Sequence, residues 1–176
     1  GDADRFGLVD EKGNFITSLQ VFSLLVLYML EIKGETGAIV KSITSTSMIY
    51  KIAELYKVPV FETPVGFKYI GSKMMTEKAL IGGEESGGFG FRGHIPERDG
   101  ILSALFILEM MVKTGRKPSE LIRHLEELVG PHVYNRVDIS FAGEDRPMLE
   151  KRFLEMNPDT MDGSRISHTD ETDGRR

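Results

Sequence analysis

The sequence contains no cysteine and no tryptophan among its 176 residues. Without cysteine there can be no disulfide framework, no thiolate nucleophile and no zinc site with cysteine ligands. Nothing in the sequence therefore indicates an oxidising compartment, and we expect a cytoplasmic protein.

Basic residues are fewer than acidic ones. Lys and Arg number 22 against 27 Asp and Glu, which makes the formal net charge −5. This balance argues against general electrostatic binding to nucleic acid or to an anionic membrane. Long hydrophobic runs are also missing, because the longest, Leu24–Leu30, is closed by Glu31 and is too short to span a bilayer.

What the sequence does contain is an alternation of strand and helix patterns. The apolar runs at residues 38–43 and 58–61 are typical of buried strands. Between and after them lie helix patterns, which cover residues 18–33, 48–56, 66–76, 99–114 and 118–129. This alternation predicts an α/β fold whose sheet is covered on both faces, with ligand sites at the loops that leave the strand ends.

The pattern changes at Gly130-Pro131. From Val133 to Phe141 apolar and polar residues alternate, which predicts a half-exposed antiparallel strand, and a helix pattern follows over residues 146–156. We therefore expect one domain over residues 1–130 and an incomplete α+β domain over residues 131–176. Because the chain begins with Gly1 and not with Met, we expect it to be a piece of a longer protein.

Two carboxylates and a guanidinium stand at the start of the chain, in Asp2, Asp4 and Arg5. Carboxylates two residues apart on a loop can both turn toward a hard cation such as Mg²⁺. Two carboxylates alone make an incomplete site, and a solvated, frayed terminus is the alternative interpretation.

A glycine-rich segment, residues 82–90, follows an apolar strand. Glycines let the backbone approach a ligand closely, and Glu84 and Ser86 would lie on the same side of an extended segment. Acceptors of this kind suit vicinal sugar hydroxyls. Adjacent carboxylates argue against a phosphate loop, and a flexible loop with solvated acids is the remaining alternative.

Two further segments could contact a ligand. His94 and Arg98 could meet a phosphate near the N-terminus of the helix that follows them, although an isolated His in a loop is more often only hydrogen-bonded. Thr63–Lys68 is a strand-to-helix turn that can expose backbone N–H groups, or an ordinary turn with Phe67 in the core.

Taken in this order, the four motifs resemble the α-D-phosphohexomutases, the phosphoglucomutase and phosphomannomutase family. The start of the chain is similar to the end of the family's metal loop, residues 63–68 to its third-domain turn, residues 83–88 to its sugar-specificity loop, and residues 94–100 to the segment that follows. The resemblance implies a Rossmann-like three-layer sandwich with a mixed or mostly parallel sheet, the third domain of four, followed by the start of the fourth.

The resemblance also implies an activity. Members of the family are isomerases that interconvert hexose 1-phosphates and 6-phosphates in carbohydrate metabolism. A phosphoserine on the first domain donates its phosphoryl group, a hexose 1,6-bisphosphate forms and reorients, and Mg²⁺ offsets the charge of the transferring group. The partners implied are the hexose phosphate, the bisphosphate and the remaining domains of the parent enzyme. This chain alone should be inactive because it lacks the phosphoserine.

The resemblance also implies roles for the residues that match the family's motifs. Asp2 and Asp4 match metal ligands, and Arg5 matches the arginine beside the phosphoserine. Glu84 and Ser86 match the pair that binds the sugar 3- and 4-hydroxyls, and Val65 and Gly66 match the turn that approaches the ring. Arg98 takes the place of a basic residue proposed to help proton transfer, although an arginine suits charge neutralisation better.

Alternatives remain at this point. The chain could be a non-catalytic sugar-phosphate-binding or interaction module of the same fold, or part of a mutase for amino-sugar or pentose phosphates. Glu85 favours glucose or mannose phosphomutases over phosphoglucosamine mutases, which more often carry Gln. Gly88 stands where some mutases have His, so no proton shuttle can be assigned there. The sequence does not determine the sugar epimer or the oligomeric state.

Overall fold

The computed structural model describes residues 2–134, 139–156, 158–161 and 163–166. The chain divides into two compact units, Gly1–His132 and Val133–Arg176. In the described residues, none of the helices is both long enough and apolar enough to cross a membrane.

The first unit contains helices and strands in alternation, and this confirms the α/β fold class. Its helices are α1 (Ser18–Leu27), α2 (Met48–Tyr56), α3 (Phe67–Glu77), α4 (Gly100–Thr114) and α5 (Pro118–Val129). Its strands are β1 (Leu8–Val9), β2 (Phe15–Ile16), β3 (Ile39–Ser42), β4 (Val60–Thr63), β5 (Ile81–Gly83) and β6 (Phe89–Phe91).

The main sheet has the strand order β4-β3-β5-β6. β3 pairs in parallel with both β4 and β5, while β6 is antiparallel to β5. The sheet is therefore mostly parallel, as the family resemblance implies. β1 and β2 form a separate antiparallel hairpin before α1.

α1 begins at a capping box. The Thr17 hydroxyl accepts a hydrogen bond from the Gln20 N–H, and the Gln20 side chain accepts one from the Thr17 N–H at 3.0 Å. A π-helical turn, Tyr28–Ile32, extends the helix toward Gly34. Almost every residue from Leu19 to Leu30 is buried, so this helix is surrounded by other elements on all sides.

Helices cover both faces of the sheet. On one face α3 supplies Phe67, Ile70 and Met74 to a small cluster with Val40 of β3. On the other face α1, α2, α4 and α5 pack into the larger core, to which β3 contributes Ile39. Three layers result, because successive side chains of a strand point to opposite faces.

The second unit contains a 3₁₀ turn (Gly143–Asp145), α6 (Arg146–Glu155) and a hairpin of β7 (Thr160–Met161) with β8 (Ser164–Arg165). The predicted helix over residues 146–156 is thus present. The predicted strand over residues 133–141 is not found in its described part, residues 133–134 and 139–141, and the rest lies outside the described residues. Val133 and Ile139 are largely exposed, so no buried face stabilises a strand there.

Candidate functional site

Parallel strands place the loops that follow them along one edge of the sheet. β3 runs in parallel with β4 and with β5, so the carboxyl ends of the three strands point the same way. The loops that leave these ends are residues 43–47, 64–66 and 84–88. The last two carry residues that the sequence predicts to bind sugar, so this edge holds the candidate site.

The loop between β5 and β6 is a tight hairpin. The Glu84 N–H donates to the Gly88 carbonyl at 3.1 Å, and the Gly87 N–H donates to the Glu84 carbonyl at 3.2 Å. Gly87 has a φ of 89°, which favours glycine. The Glu84 side chain is buried, and its Oε1 accepts a hydrogen bond of 2.6 Å from the Ser86 hydroxyl. The structure thus brings Glu84 and Ser86 together as a carboxylate and hydroxyl pair.

Arg98 connects this pair to other acidic side chains. Its Nη1 lies 3.1 Å from Glu84 Oε1, its Nη2 lies 3.1 Å from Asp4 Oδ2, and its Nε lies 3.4 Å from Glu97 Oε1. The guanidinium also lies over the Phe67 ring, 5.9 Å from its centroid. One cation therefore contacts carboxylates from three segments of the chain.

The environment keeps Arg98 charged. Burial opposes ionisation, but the hydrogen bond to Glu84 and the nearby charges of Glu84, Asp4 and Glu97 outweigh it and raise the pKa of Arg98. A permanently protonated guanidinium can donate hydrogen bonds and neutralise charge, and it cannot act as a general base. Charge neutralisation by Arg98 thus stays a prediction, and the raised pKa argues against a general base at this position.

The start of the chain packs on this cluster through its backbone. The Phe6 N–H donates to the Gly87 carbonyl at 3.0 Å, and the Gly100 N–H donates to the Ala3 carbonyl at 3.0 Å. These bonds place Asp4 beside Arg98. They also place the predicted metal loop next to the predicted sugar loop, although many residues separate the two in sequence.

The predicted metal ligands do not make a complete metal site within the chain. Asp2 and Arg5 are exposed, whereas Asp4 is half-buried and gives one carboxylate oxygen to Arg98. Among the described residues, no group of three or more metal-ligating side chains lies close enough to hold an ion. Carboxylates are the ligands that Mg²⁺ prefers, so Asp2 and Asp4 have suitable chemistry and too few donors.

The turn after β4 reaches the same edge. Val65 is 41% exposed, and Gly66 is the N-cap of α3, with a φ of 121°. Phe67, which follows the turn, lies beneath the Arg98 guanidinium and is buried, as the alternative interpretation of this segment predicts. The turn is thus joined to the Arg98 cluster through the Phe67 ring.

His94 and Arg98 do not converge on a common anion site. His94 Nε2 lies 2.9 Å from Asp99 Oδ2, whereas Arg98 contacts other carboxylates. The start of α4 is also occupied, since Asp99 Oδ1 accepts the Leu102 N–H at 2.8 Å and the Ala3 carbonyl accepts the Gly100 N–H. In this structure carboxylate and carbonyl oxygens accept from the donors that a phosphate would need, so the phosphate site stays a prediction.

The sequence patterns did not indicate what holds the predicted sugar loop in place. The Glu85 carboxylate accepts a hydrogen bond from Ser42 at 2.9 Å, and the Glu85 carbonyl accepts one from Ser18. Glu85 thus faces the ends of β3 and α1 and is not in the Arg98 cluster. The apolar pattern of Phe89–Phe91 after two glycines is a hairpin signal that could have revealed β6.

Comparisons with known proteins identify relatives of this chain. The chain is 36% identical to a phosphoglucosamine mutase from Halalkalibacterium halodurans over 147 residues, which are 82% of this chain and 33% of that protein. It is 31% identical to a phosphoglucomutase/phosphomannomutase from Thermococcus kodakarensis over 176 residues, 97% of this chain and 37% of that protein. It thus spans about a third of the length of these relatives.

A solved structure shares the fold. The crystal structure described as a phosphomannomutase from Thermus thermophilus superposes with a TM-score of 0.75 at 42% identity, over 81% of this chain and 33% of that one. Residues 17–128 match the family model described as phosphoglucomutase/phosphomannomutase, alpha/beta/alpha domain III. The resemblance found in the sequence is confirmed, and the chain belongs to the phosphoglucomutase/phosphomannomutase family.

Proposed function

We propose that this chain is the sugar-recognition part of a longer phosphohexomutase that interconverts hexose 1-phosphate and hexose 6-phosphate. In this proposal residues 1–130 form the third domain and residues 131–176 begin the fourth. The phosphoserine and the remaining phosphate-binding groups come from other parts of the enzyme. The observation that carries the proposal is the hydrogen-bonded pair of buried Glu84 and half-buried Ser86 at the carboxyl edge of a sheet of this family.

The charge of the cluster favours a sugar ring over a phosphate. Arg98 contributes one positive charge, and Asp4, Glu84 and Glu97 contribute three negative charges, so the local balance is 1 − 3 = −2. A phosphate would be repelled there, whereas sugar hydroxyls donate hydrogen bonds to carboxylates without a charge penalty. Glu84 and Ser86 are therefore assigned to two neighbouring hydroxyls, and the Val65–Gly66 turn to the ring.

Asp2 and Asp4 are assigned to a Mg²⁺ site that the rest of the enzyme completes. When bound, Mg²⁺ would offset the charge of a phosphoryl group during transfer. Arg5 is exposed next to these carboxylates and is assigned to the phosphoserine side of the site. Arg98 contacts one oxygen of each carboxylate, Asp4 Oδ2 and Glu84 Oε1, and offsets part of their negative charge.

The substrate class in this proposal is hexose phosphate. The chain is 36% identical to a phosphoglucosamine mutase and 31% identical to a phosphoglucomutase/phosphomannomutase, so its relatives include proteins named for different sugars. Glu85 favours glucose or mannose by resemblance. Amino-sugar and pentose phosphates remain the competing substrates.

The test is a substitution in the full-length protein. Glu84→Gln should lower kcat/KM for the preferred sugar 1-phosphate roughly 10- to 100-fold, because a charged acceptor for a hydroxyl is lost. Coupled assays with glucose, mannose, glucosamine and ribose 1-phosphates would identify that substrate. Glu35→Gln is the matched control, because Glu35 also accepts from an arginine, Arg92, at the other end of β6.

Two outcomes would contradict the proposal. Unchanged kinetics in Glu84→Gln would remove the sugar-loop assignment. No turnover of any of the four substrates by the full-length protein would favour a non-catalytic binding module of the same fold.

A further inference from the structure

Arg98 joins two segments that would otherwise meet mainly through their backbones. The segment before β1 contributes Asp4, and the loop between β5 and β6 contributes Glu84, both at 3.1 Å from the guanidinium. The backbone bond from Phe6 N–H to the Gly87 carbonyl lies at the same junction. The side chains of Asp4 and Glu84 therefore share one partner, Arg98, and a change at either carboxylate affects the other through it.

The geometry of the junction requires an arginine. Arg98 Nη1 contacts Glu84, and Arg98 Nη2 contacts Asp4. The planar guanidinium of an arginine presents two separate nitrogens to two carboxylates, whereas the ammonium group of a lysine has one nitrogen. The Arg98 stem passes so close to Gly88 that a Cβ there would lie 2.8 Å from Arg98 Cγ. The Phe67 ring packs on the guanidinium from another side. The side chain is thus held in one place by its surroundings.

From this geometry we propose that Arg98 is a positioning residue that couples the N-terminal acidic segment to the sugar-recognition loop. The proposal deepens the function proposed above and rests on it for the name of the loop. If either carboxylate binds a ligand, the contact between Arg98 and the other carboxylate changes. The acidic segment then regulates how firmly Glu84 and its loop are held.

The test measures amide hydrogen exchange in the 176-residue chain without sugar, metal or turnover. The reporters are the Glu84 and Gly87 amides, which are hydrogen-bonded inside the loop. Asp4→Asn should speed their exchange about threefold to tenfold. This fold-change lies within the range of interaction energies usual for residues of one ion-pair network. In the Arg98→Lys background the same Asp4→Asn change should alter the exchange rate less than about twofold, because a lysine has no guanidinium to contact both carboxylates.

Arg92→Lys is the matched background control. Arg92 also contacts a carboxylate, Glu35 at 2.8 Å, but it follows the opposite end of β6. In this background Asp4→Asn should still speed exchange at Glu84 and Gly87. Amides of β3 should keep their protection in every variant, which would show that the sheet is intact.

An equal effect of Asp4→Asn in the native and Arg98→Lys backgrounds would overturn the proposal, as would no effect in the native background. If Arg98→Lys disturbs the sheet, a double-mutant cycle of Asp4→Asn and Glu84→Gln is used in place of that background. Strictly additive effects of these two substitutions on amide exchange would overturn the proposal. No substrate is used, so these outcomes are independent of the mutase assays on the full-length protein.

Discussion

Gly88 is the residue whose lack of a side chain allows the Arg98 cluster to form. A Cβ at this position would meet the Arg98 stem and would lie 3.1 Å from Glu84 Oε1. We expect Gly88→Ala to displace Arg98 from Glu84 and to lower the free energy of unfolding by about 1 to 3 kcal/mol, the usual effect of overpacking. Urea denaturation of the 176-residue chain would measure it.

Gly7→Ala is the control for this substitution. A Cβ at Gly7 would meet only the Phe15 ring, at an ordinary contact distance of 3.9 Å. Its effect should stay within about 0.5 kcal/mol. If Gly88→Ala were as mild as Gly7→Ala, the close approach of Arg98 to the glycine backbone would not matter for stability.

At the scale of the element, α4 depends on the carboxylate that caps it. A hydrogen bond from the Leu102 N–H lowers the pKa of Asp99, burial opposes this, and His94 adds to the lowering. Because the folded-state pKa lies below the ordinary value of 3.8, the ionised cap stabilises the fold above about pH 4 and this contribution is lost as the pH falls further.

The cap predicts a pH-dependent difference between two proteins. Asp99→Ala should lower the free energy of unfolding by about 1 kcal/mol at roughly pH 6. The difference from the native chain should shrink as the pH falls below the ordinary value of 3.8 and Asp99 becomes protonated. Denaturant unfolding at each pH gives the measurement.

Thr17→Ala removes the cap of α1, a hydroxyl that does not titrate, and serves as the control. Its destabilisation should be similar at all pH values. A constant difference between Asp99→Ala and the native chain over this range would show that the charge of Asp99 does not contribute to the cap.

At the scale of the whole molecule, stability is concentrated in the first unit. Every buried apolar residue that the structure describes lies between Ile16 and Val129. A chain of residues 1–132 should therefore unfold cooperatively. Its free energy of unfolding should match that of the full chain to within about 10–15%, the usual error of linear extrapolation from denaturant.

A chain of residues 1–116 is the matched truncation. It lacks α5, whose Leu121, Leu125 and Val129 are buried in the larger core. Loss of three such side chains removes several kcal/mol, so the cooperative transition should disappear. If residues 1–132 also failed to fold, the second unit would have to contribute to the stability of the first.

Local patterns in the sequence determined most of the elements. α5 and α2 have the predicted bounds, and α1 begins at Ser18, as the pattern over residues 18–33 predicts. Capping residues, apolar periodicity and glycine stops act within a few residues, so they are visible in the sequence itself. The order of the four motifs was also sufficient to identify the family.

Only the tertiary structure decided how the motifs meet. Residues 82–90 have the composition of one loop, whereas pairing with β5 makes Phe89–Phe91 a strand and closes the hairpin. Because His94 and Arg98 are close in sequence, the sequence suggests a shared site for them. In the structure His94 contacts Asp99, whereas Arg98 contacts Asp4 and Glu84. Contacts between distant segments depend on burial and on which donors remain free after folding, and no local pattern in the sequence records either.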